Sequence, residues 1–200
     1  MQEEKPIINI VGEKVALGPT HKGMIPFFEK WDNDFAVSIM SGDSLRPVSR
    51  EVTEANYARH SQEDSRHAVD FAIYEYATMR FIGLTSLRHI NFVHGNADFG
   101  IYIGEKDCWG KGYGTETTIL MLDYGFTILG LHNILLSTYG YNERPIRAYT
   151  RAGFREMGRW REAARVGDRR YDIVFMDCLS TEFSNPLKRI IEFPGTNKPV

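Results

Sequence analysis

The stretch that most constrains this chain is Trp109-Gly110-Lys111-Gly112-Tyr113-Gly114-Thr115-Glu116, set between a strand-like segment and the most helix-like segment in the sequence. Alternating glycines permit backbone with positive φ and let a ligand approach the main chain closely. A helix start adds N–H groups without intrahelical partners and the positive end of the helix dipole. The loop therefore predicts an anion cradle on a strand-turn-helix unit. A Walker loop is excluded, because Lys111 precedes the last glycines and is followed by Gly112 rather than by a Ser or Thr. A dinucleotide loop fits poorly, because the spacing is Gly-x-Gly-x-Gly and the loop follows a run of antiparallel-looking strands. A bare structural turn would account for one or two of these glycines but not for three opening a long helix.

The periodicity around the loop supplies the rest of the fold. Ile8–Leu17 reads as a first strand, and a helix is expected from Pro19-Thr20 to Lys30, with Met24, Phe27 and Phe28 on its apolar side. A second helix is expected from Ser49, a good N-cap, to His60. Val69–Tyr76, Arg80–Ile90 and Ala97–Gly104 read as consecutive antiparallel strands. Ile119, Leu122, Phe126 and Leu129 recur at helical spacing before Gly130, predicting a helix over Gly112–Leu129. Asn133–Tyr139 is a fifth, buried strand; Pro145 is expected at the N1 position of a helix ending at Gly153. Strands over Phe154–Ala164 and Arg170–Leu179, joined through Val166-Gly167-Asp168, complete an α+β (mixed α/β) arrangement. Nothing marks an interdomain linker. Residues 1–180 are expected to form one domain, with 181–200, which hold three prolines, as a tail.

The 200 residues carry a formal net charge of −2, which argues against a nucleic-acid coat. Cys108 and Cys178 lie far apart, without metal-ligand spacing, and read as free thiols of a reducing compartment. The first residues are acidic and no run of about 18 apolar residues occurs, so a cytoplasmic protein without a membrane partner is expected. The histidines show no metal spacing, and no metal is expected.

Two motifs together resemble the GNAT superfamily of acyl-CoA-dependent N-acyltransferases, and within it the RimJ/RimL-like branch. Trp109–Glu116 is similar to that branch's pyrophosphate loop. Asn142-Glu-Arg-Pro-Ile-Arg-Ala-Tyr-Thr-Arg-Ala-Gly-Phe154 is similar to its Asn-x-x-Ala-x-x-x-Tyr-x-x-x-Gly-Phe segment, with Pro145 in place of a small residue. The resemblance implies a central, mostly antiparallel sheet of six to seven strands, splayed between its fourth and fifth, Ala97–Gly104 and Asn133–Tyr139, and flanked by about four helices. It also implies acetyl-CoA as cosubstrate and acetyl transfer to a primary amine by direct attack in a ternary complex. The acceptor would be a small molecule, such as a polyamine or an amino acid, or a protein N-terminus.

Carried onto this chain, the resemblance places the pantetheine arm along Ile101, Tyr102 and Ile103. The pyrophosphate falls on the loop Trp109, Gly110, Lys111, Gly112, Tyr113, Gly114 and Thr115, with Asn142 on the pantetheine or the adjoining turn. Tyr149 occupies the position of the acid that protonates the departing thiolate, and Arg147 and Arg151 are candidates for the phosphates. Some family members carry a Glu on the fifth strand where this chain has Ser137, so the general base stays open among Asp98, Glu75 and His89. Nine arginines against four acidic residues over 142–171, after an acidic first part, fit a polyanionic cosubstrate and a cationic acceptor. The same fold without a base would be a noncatalytic CoA-binding module. A homodimer through a sheet edge, or through Ile190, Ile191 and Phe193, also stays open.

Overall fold

The computed structural model of the chain describes residues 5–41, 45–61 and 66–187. Eight strands form one mixed sheet in the order β1-β2-β3-β4-β5-β6-β8-β7. The first strand expected from sequence is a hairpin, β1 (Ile10–Val11) and β2 (Val15–Gly18), because Gly12 turns the chain and its N–H donates to the Val15 carbonyl at 2.8 Å. The meander β3 (Val69–Glu75), β4 (Arg80–Asn91) and β5 (Asn96–Ile103) follows in antiparallel register. Strands β6 (Asn133–Tyr139), β7 (Arg155–Val166) and β8 (Arg169–Leu179) complete the sheet, with Gly167 at positive φ in the last hairpin. The hairpin at the start accounts for eight strands rather than six to seven.

Five α-helices cover the two faces. On one face α1 (Ile25–Asp32) and α2 (Phe35–Ser41) bury Met24, Trp31 and Val37 against Ala72, Tyr74 and Phe81. The buried side of α1 is thus Ile25 and Trp31, whereas Phe27, expected inside, is 38% exposed; Pro26 sits in the first turn, where its missing N–H costs no bond. α3 (Arg50–Ser61) buries only Thr53. On the other face α4 (Tyr113–Asp123) is buried along eight consecutive residues, Glu116 to Asp123, over Phe71, Ile73, Ile82 and Leu87. Its α-geometry ends six residues before Leu129 and passes into a π turn, Tyr124–Ile128, where a Cβ on Gly125 would stand 2.5 Å from the Ile134 side chain. α5 (Glu143–Ala152) starts two residues earlier than expected, leaving Pro145 within its first turn, and ends at left-handed Gly153.

The placement that matters most is the fork between β5 and β6. Their parallel pairing covers Asn96↔Asn133, Ala97↔Ile134 and Asp98↔Leu135 and then stops. On its other edge β5 remains paired to β4 as far as Gly83↔Ile103, while β6 continues against β8. Beyond Asp98, β5 is thus held by β4 on one side and has no β6 pairing on the other. Beyond β8, Phe183 packs on Phe126 with ring centroids 5.4 Å apart and Leu187 reaches the same core, so residues 181–187 pack on the sheet rather than trail as a tail. Ile190, Ile191 and Phe193 lie outside the described residues. No described helix is long and apolar enough to cross a membrane.

Candidate active site

The glycine loop, the fork and α5 enclose one cavity of about 790 Å³. Of the residues expected to hold the cosubstrate, Ile101, Tyr102, Ile103, Trp109, Gly110, Gly112, Tyr113, Gly114, Thr115, Asn142, Arg147, Tyr149 and Arg151 line it. Lys111 does not; its carbonyl instead accepts from Lys14 Nζ at 3.3 Å. The loop owes its shape to Gly110 (φ 77°) and Gly112 (φ 90°), both in the left-handed region. A Cβ on Gly110 or Gly114 would meet no protein atom within 4 Å, so the loop's bare backbone faces open space. Gly112 caps α4 without any side-chain bond, leaving the first N–H groups of the helix for a ligand.

Several side chains fix this cradle. The Trp109 indole donates to the Ile103 carbonyl at 2.8 Å, tying the loop to the end of β5. Glu116, buried in the first turn of α4, accepts from the backbone N–H groups of Lys14 (2.8 Å) and Val15 (3.2 Å), and its oxygen lies where a Cβ on Gly12 would stand. The β1–β2 turn is therefore anchored to the cradle helix, and Lys14 brings an ammonium under the loop. Neither link had a local signal, since each joins residues about a hundred positions apart.

Asn142 is 2% exposed and does not cap its helix. Its amide donates to the Met40 carbonyl at 2.8 Å and to Thr138 at 3.4 Å, while its carbonyl oxygen is buried without a partner. An orphaned acceptor on a cavity wall fits a ligand N–H. Tyr149 projects from α5 with its ring edge-on to Phe99 (6.2 Å) and Phe154 (6.1 Å), and burial pushes its phenol up to about 12. Cys108, on the same wall, is a buried thiol 3.0 Å from an Arg80 nitrogen; burial raises its pKa.

The candidate bases are placed elsewhere. Glu75 is not part of this cavity's lining: Tyr113 donates to it at 2.6 Å and Thr78 at 2.7 Å, and these bonds hold its carboxyl below the usual range, making it a poor proton acceptor. Asp98 is half-exposed and paired with His89 at 2.7 Å, also away from the cavity.

A second cleft of about 660 Å³ opens on the α1–α3 face of the sheet. The two cavities share Ser41, Ile101 and Tyr102, so they meet at the fork. The second is lined by Asp32, Asp70, Arg88, Tyr57, Arg59 and His60 among others, with Asp70 and Arg88 paired at 2.7 Å. No sequence motif marks these residues: α3 is mostly polar, and Asp70, next to the start of β3, reads as a solvated carboxylate.

A pyrophosphate-sized cradle at a helix start, opening onto a strand edge that lacks its partner and leading through a fork to a second cleft, defines a transferase that draws an acyl group from a CoA thioester. Residues 19–155 match the acetyltransferase (GNAT) domain, and the chain belongs to that family. It is 32% identical over 176 residues to spermidine N(1)-acetyltransferase of Vibrio cholerae, a span covering 88% of this chain and 98% of the relative. The corresponding enzyme of Escherichia coli K12 is 42% identical over 72 residues, 36% of this chain and 38% of the relative. The solved structure of the Vibrio cholerae spermidine N-acetyltransferase with CoA and spermine superposes with a TM-score of 0.76 at 27% identity, covering 86% of this chain and 98% of that one. The protein is an acetyl-CoA-dependent N-acetyltransferase.

Proposed function

We propose that the acceptor is a linear polyamine of the spermidine class, acetylated at a primary amine. The observation that carries this reading is the full-length match to a spermidine acetyltransferase, 98% of whose sequence aligns here. The acceptor enters through the cleft under α1–α3 and meets the thioester where that cleft joins the cosubstrate cavity, at Ile101 and Tyr102. In this reading the open edge of β5 bonds the pantetheine amides, the Asn142 carbonyl oxygen accepts from one of their N–H groups, and the loop N–H groups with Arg147 and Arg151 take the phosphates.

A primary amine of pKa about 10.4 is almost wholly protonated at neutral pH, and making it nucleophilic costs about 4–5 kcal/mol. Its proton leaves through the acceptor cleft, whose lining includes Asp70, Asp32 and His60, whereas Glu75 and Asp98 lie outside that lining. Tyr149, kept protonated by burial, donates to the sulfur as the C–S bond breaks.

A second reading, acetylation of a protein N-terminus in the manner of the RimJ/RimL-like branch, is favoured by one feature. The cleft sets Arg59 and Arg88 beside its carboxylates, which suits an acceptor carrying carbonyl groups next to its amine. Thiol release from acetyl-CoA against spermidine, spermine, putrescine, free amino acids and short peptides separates the two. Spermidine is expected to have the highest kcat/KM; peptides turning over faster would overturn the polyamine reading in favour of the second.

A further inference from the structure

The cradle is glycine-rich and depends on surrounding side chains, Trp109 and Glu116 among them, to hold its shape. Its helix has no side-chain N-cap, two of its glycines are left-handed, and three of its glycines carry no side chain that could pack. Glycine-rich backbone is the least ordered a chain can offer, so a defined cradle needs fastening from outside. The first helical residue, Tyr113, supplies the point of attachment: its hydroxyl donates to Glu75 Oε1 at 2.6 Å. Glu75 ends β3, one of the strands that build the core, and is itself fixed by Thr78 at 2.7 Å and faced by the Arg80 guanidinium at 4.0 Å. Arg80 in turn bonds Asp107 at 2.6 Å, just ahead of the loop. The two sides of the glycine loop are thereby tied to the same β3–β4 turn. Burial alone does not explain this arrangement, because a carboxylate at a strand end would be well solvated without it.

We infer that Glu75 is a positioning residue for the cosubstrate, holding the pyrophosphate cradle in its binding shape through the Tyr113 hydroxyl. It touches no reacting atom. Its effect falls on the part of acetyl-CoA that lies against the loop and leaves the chemistry at the fork alone.

Calorimetric titration of the full chain with CoA tests this without any acceptor, so its outcome is independent of the polyamine reading. Glu75→Ala is expected to weaken CoA binding about tenfold, the worth of one charge-assisted hydrogen bond. Binding of 3′-phosphoadenosine 5′-diphosphate, which carries the pyrophosphate without the pantetheine arm, is expected to weaken by the same factor. Tyr113→Phe should reproduce the loss, the double variant should be no worse than either single one, and Glu75→Gln, which keeps an acceptor oxygen, should recover most of it. In steady state kcat at saturating acetyl-CoA stays within about twofold of the parent. Three results would overturn the inference: a collapse of kcat with unchanged CoA affinity, which would return Glu75 to the role of base; Tyr113→Phe binding CoA as the parent does; or nucleotide affinity untouched by Glu75→Ala.

Discussion

Replacing Tyr149 by Phe removes one oxygen from the centre of the proposed chemistry and almost nothing else. The ring keeps both of its edge-on contacts, at 6.2 Å to Phe99 and 6.1 Å to Phe154, and the hydroxyl gives up no hydrogen bond to a described residue. Stability should therefore be unchanged, with Tm within about 2 °C of the parent. The catalytic loss should be large. A phenol pushed up to about 12 is fully protonated at any working pH, so it stands ready as a donor. Its pKa lies above the ordinary thiol value of about 8.5, but a thiolate released in the same apolar pocket is raised by the same desolvation, which narrows the gap. A positioned acid of this kind is worth about 10²–10⁴-fold in rate, or about 3–5 kcal/mol of barrier. The assay is thiol release at saturating acetyl-CoA and amine, with CoA affinity measured in parallel. A fall in kcat of at least about a hundredfold at nearly constant affinity is expected. Turnover within a few-fold of the parent would remove Tyr149 as the acid, and a fall in Tm matching the fall in activity would make its role one of packing.

Two further perturbations read the scaffold. Glu116→Ala leaves the Lys14 and Val15 N–H groups without their charged acceptor, a loss of about 2–4 kcal/mol, so Tm should drop by roughly 5–15 °C; thermal denaturation showing less than about 2 °C would refute the anchoring role. Glu105 reports on pH: burial alone would raise its pKa, but the Lys30 ammonium (2.6 Å) and the Trp31 indole (2.9 Å) outweigh it and hold the carboxyl below its usual value. Its folded pKa being depressed, the stability it adds is complete above the unfolded value of about 4.3 and is lost as the pH falls through the folded one. Glu105→Gln should accordingly lower Tm at pH 7, with a deficit that shrinks as the pH falls below about 4.3; a deficit independent of pH would refute the charge-based account.

What could be read from the sequence was whatever repeats along the chain. The strand expected over Val69–Tyr76 forms as β3, and its period-two pleat sends Phe71 and Ile73 into one core cluster and Ala72 and Tyr74 into the other. The glycine loop, Asn142 and Tyr149 were legible because the cradle and the α5 start are local motifs, and the structure gathers them on one cavity. Contacts between distant segments carried no such trace. Nothing near Glu75 points to Tyr113, 38 residues on, and nothing near Asn142 points to the Met40 carbonyl, 102 residues back. The helix α2 was missed for a related reason, since Phe35–Ser41 is only seven residues and buries just Val37 and Ser38. The second cleft left no trace in the sequence because it is shaped by how α3 lies over the sheet.

The fork itself is a cost that the fold concentrates in one place. Past Asp98↔Leu135 the parallel ladder stops, so the rest of β5 gains no ladder bond from β6. Two devices keep the open edge from collapsing: β4 stays in register as far as Ile103, and the Trp109 indole closes off the Ile103 carbonyl at 2.8 Å. The same tryptophan begins the glycine loop, so the end of the open strand and the start of the cradle are one joint. A ligand that is a phosphate at one end and a chain of amides at the other would meet the helix start first and the strand edge next, and reach Ile101 and Tyr102, where the second cleft begins. The end of β5 at Ile101–Ile103 and the helix start at Gly112–Thr115 thus line one cavity.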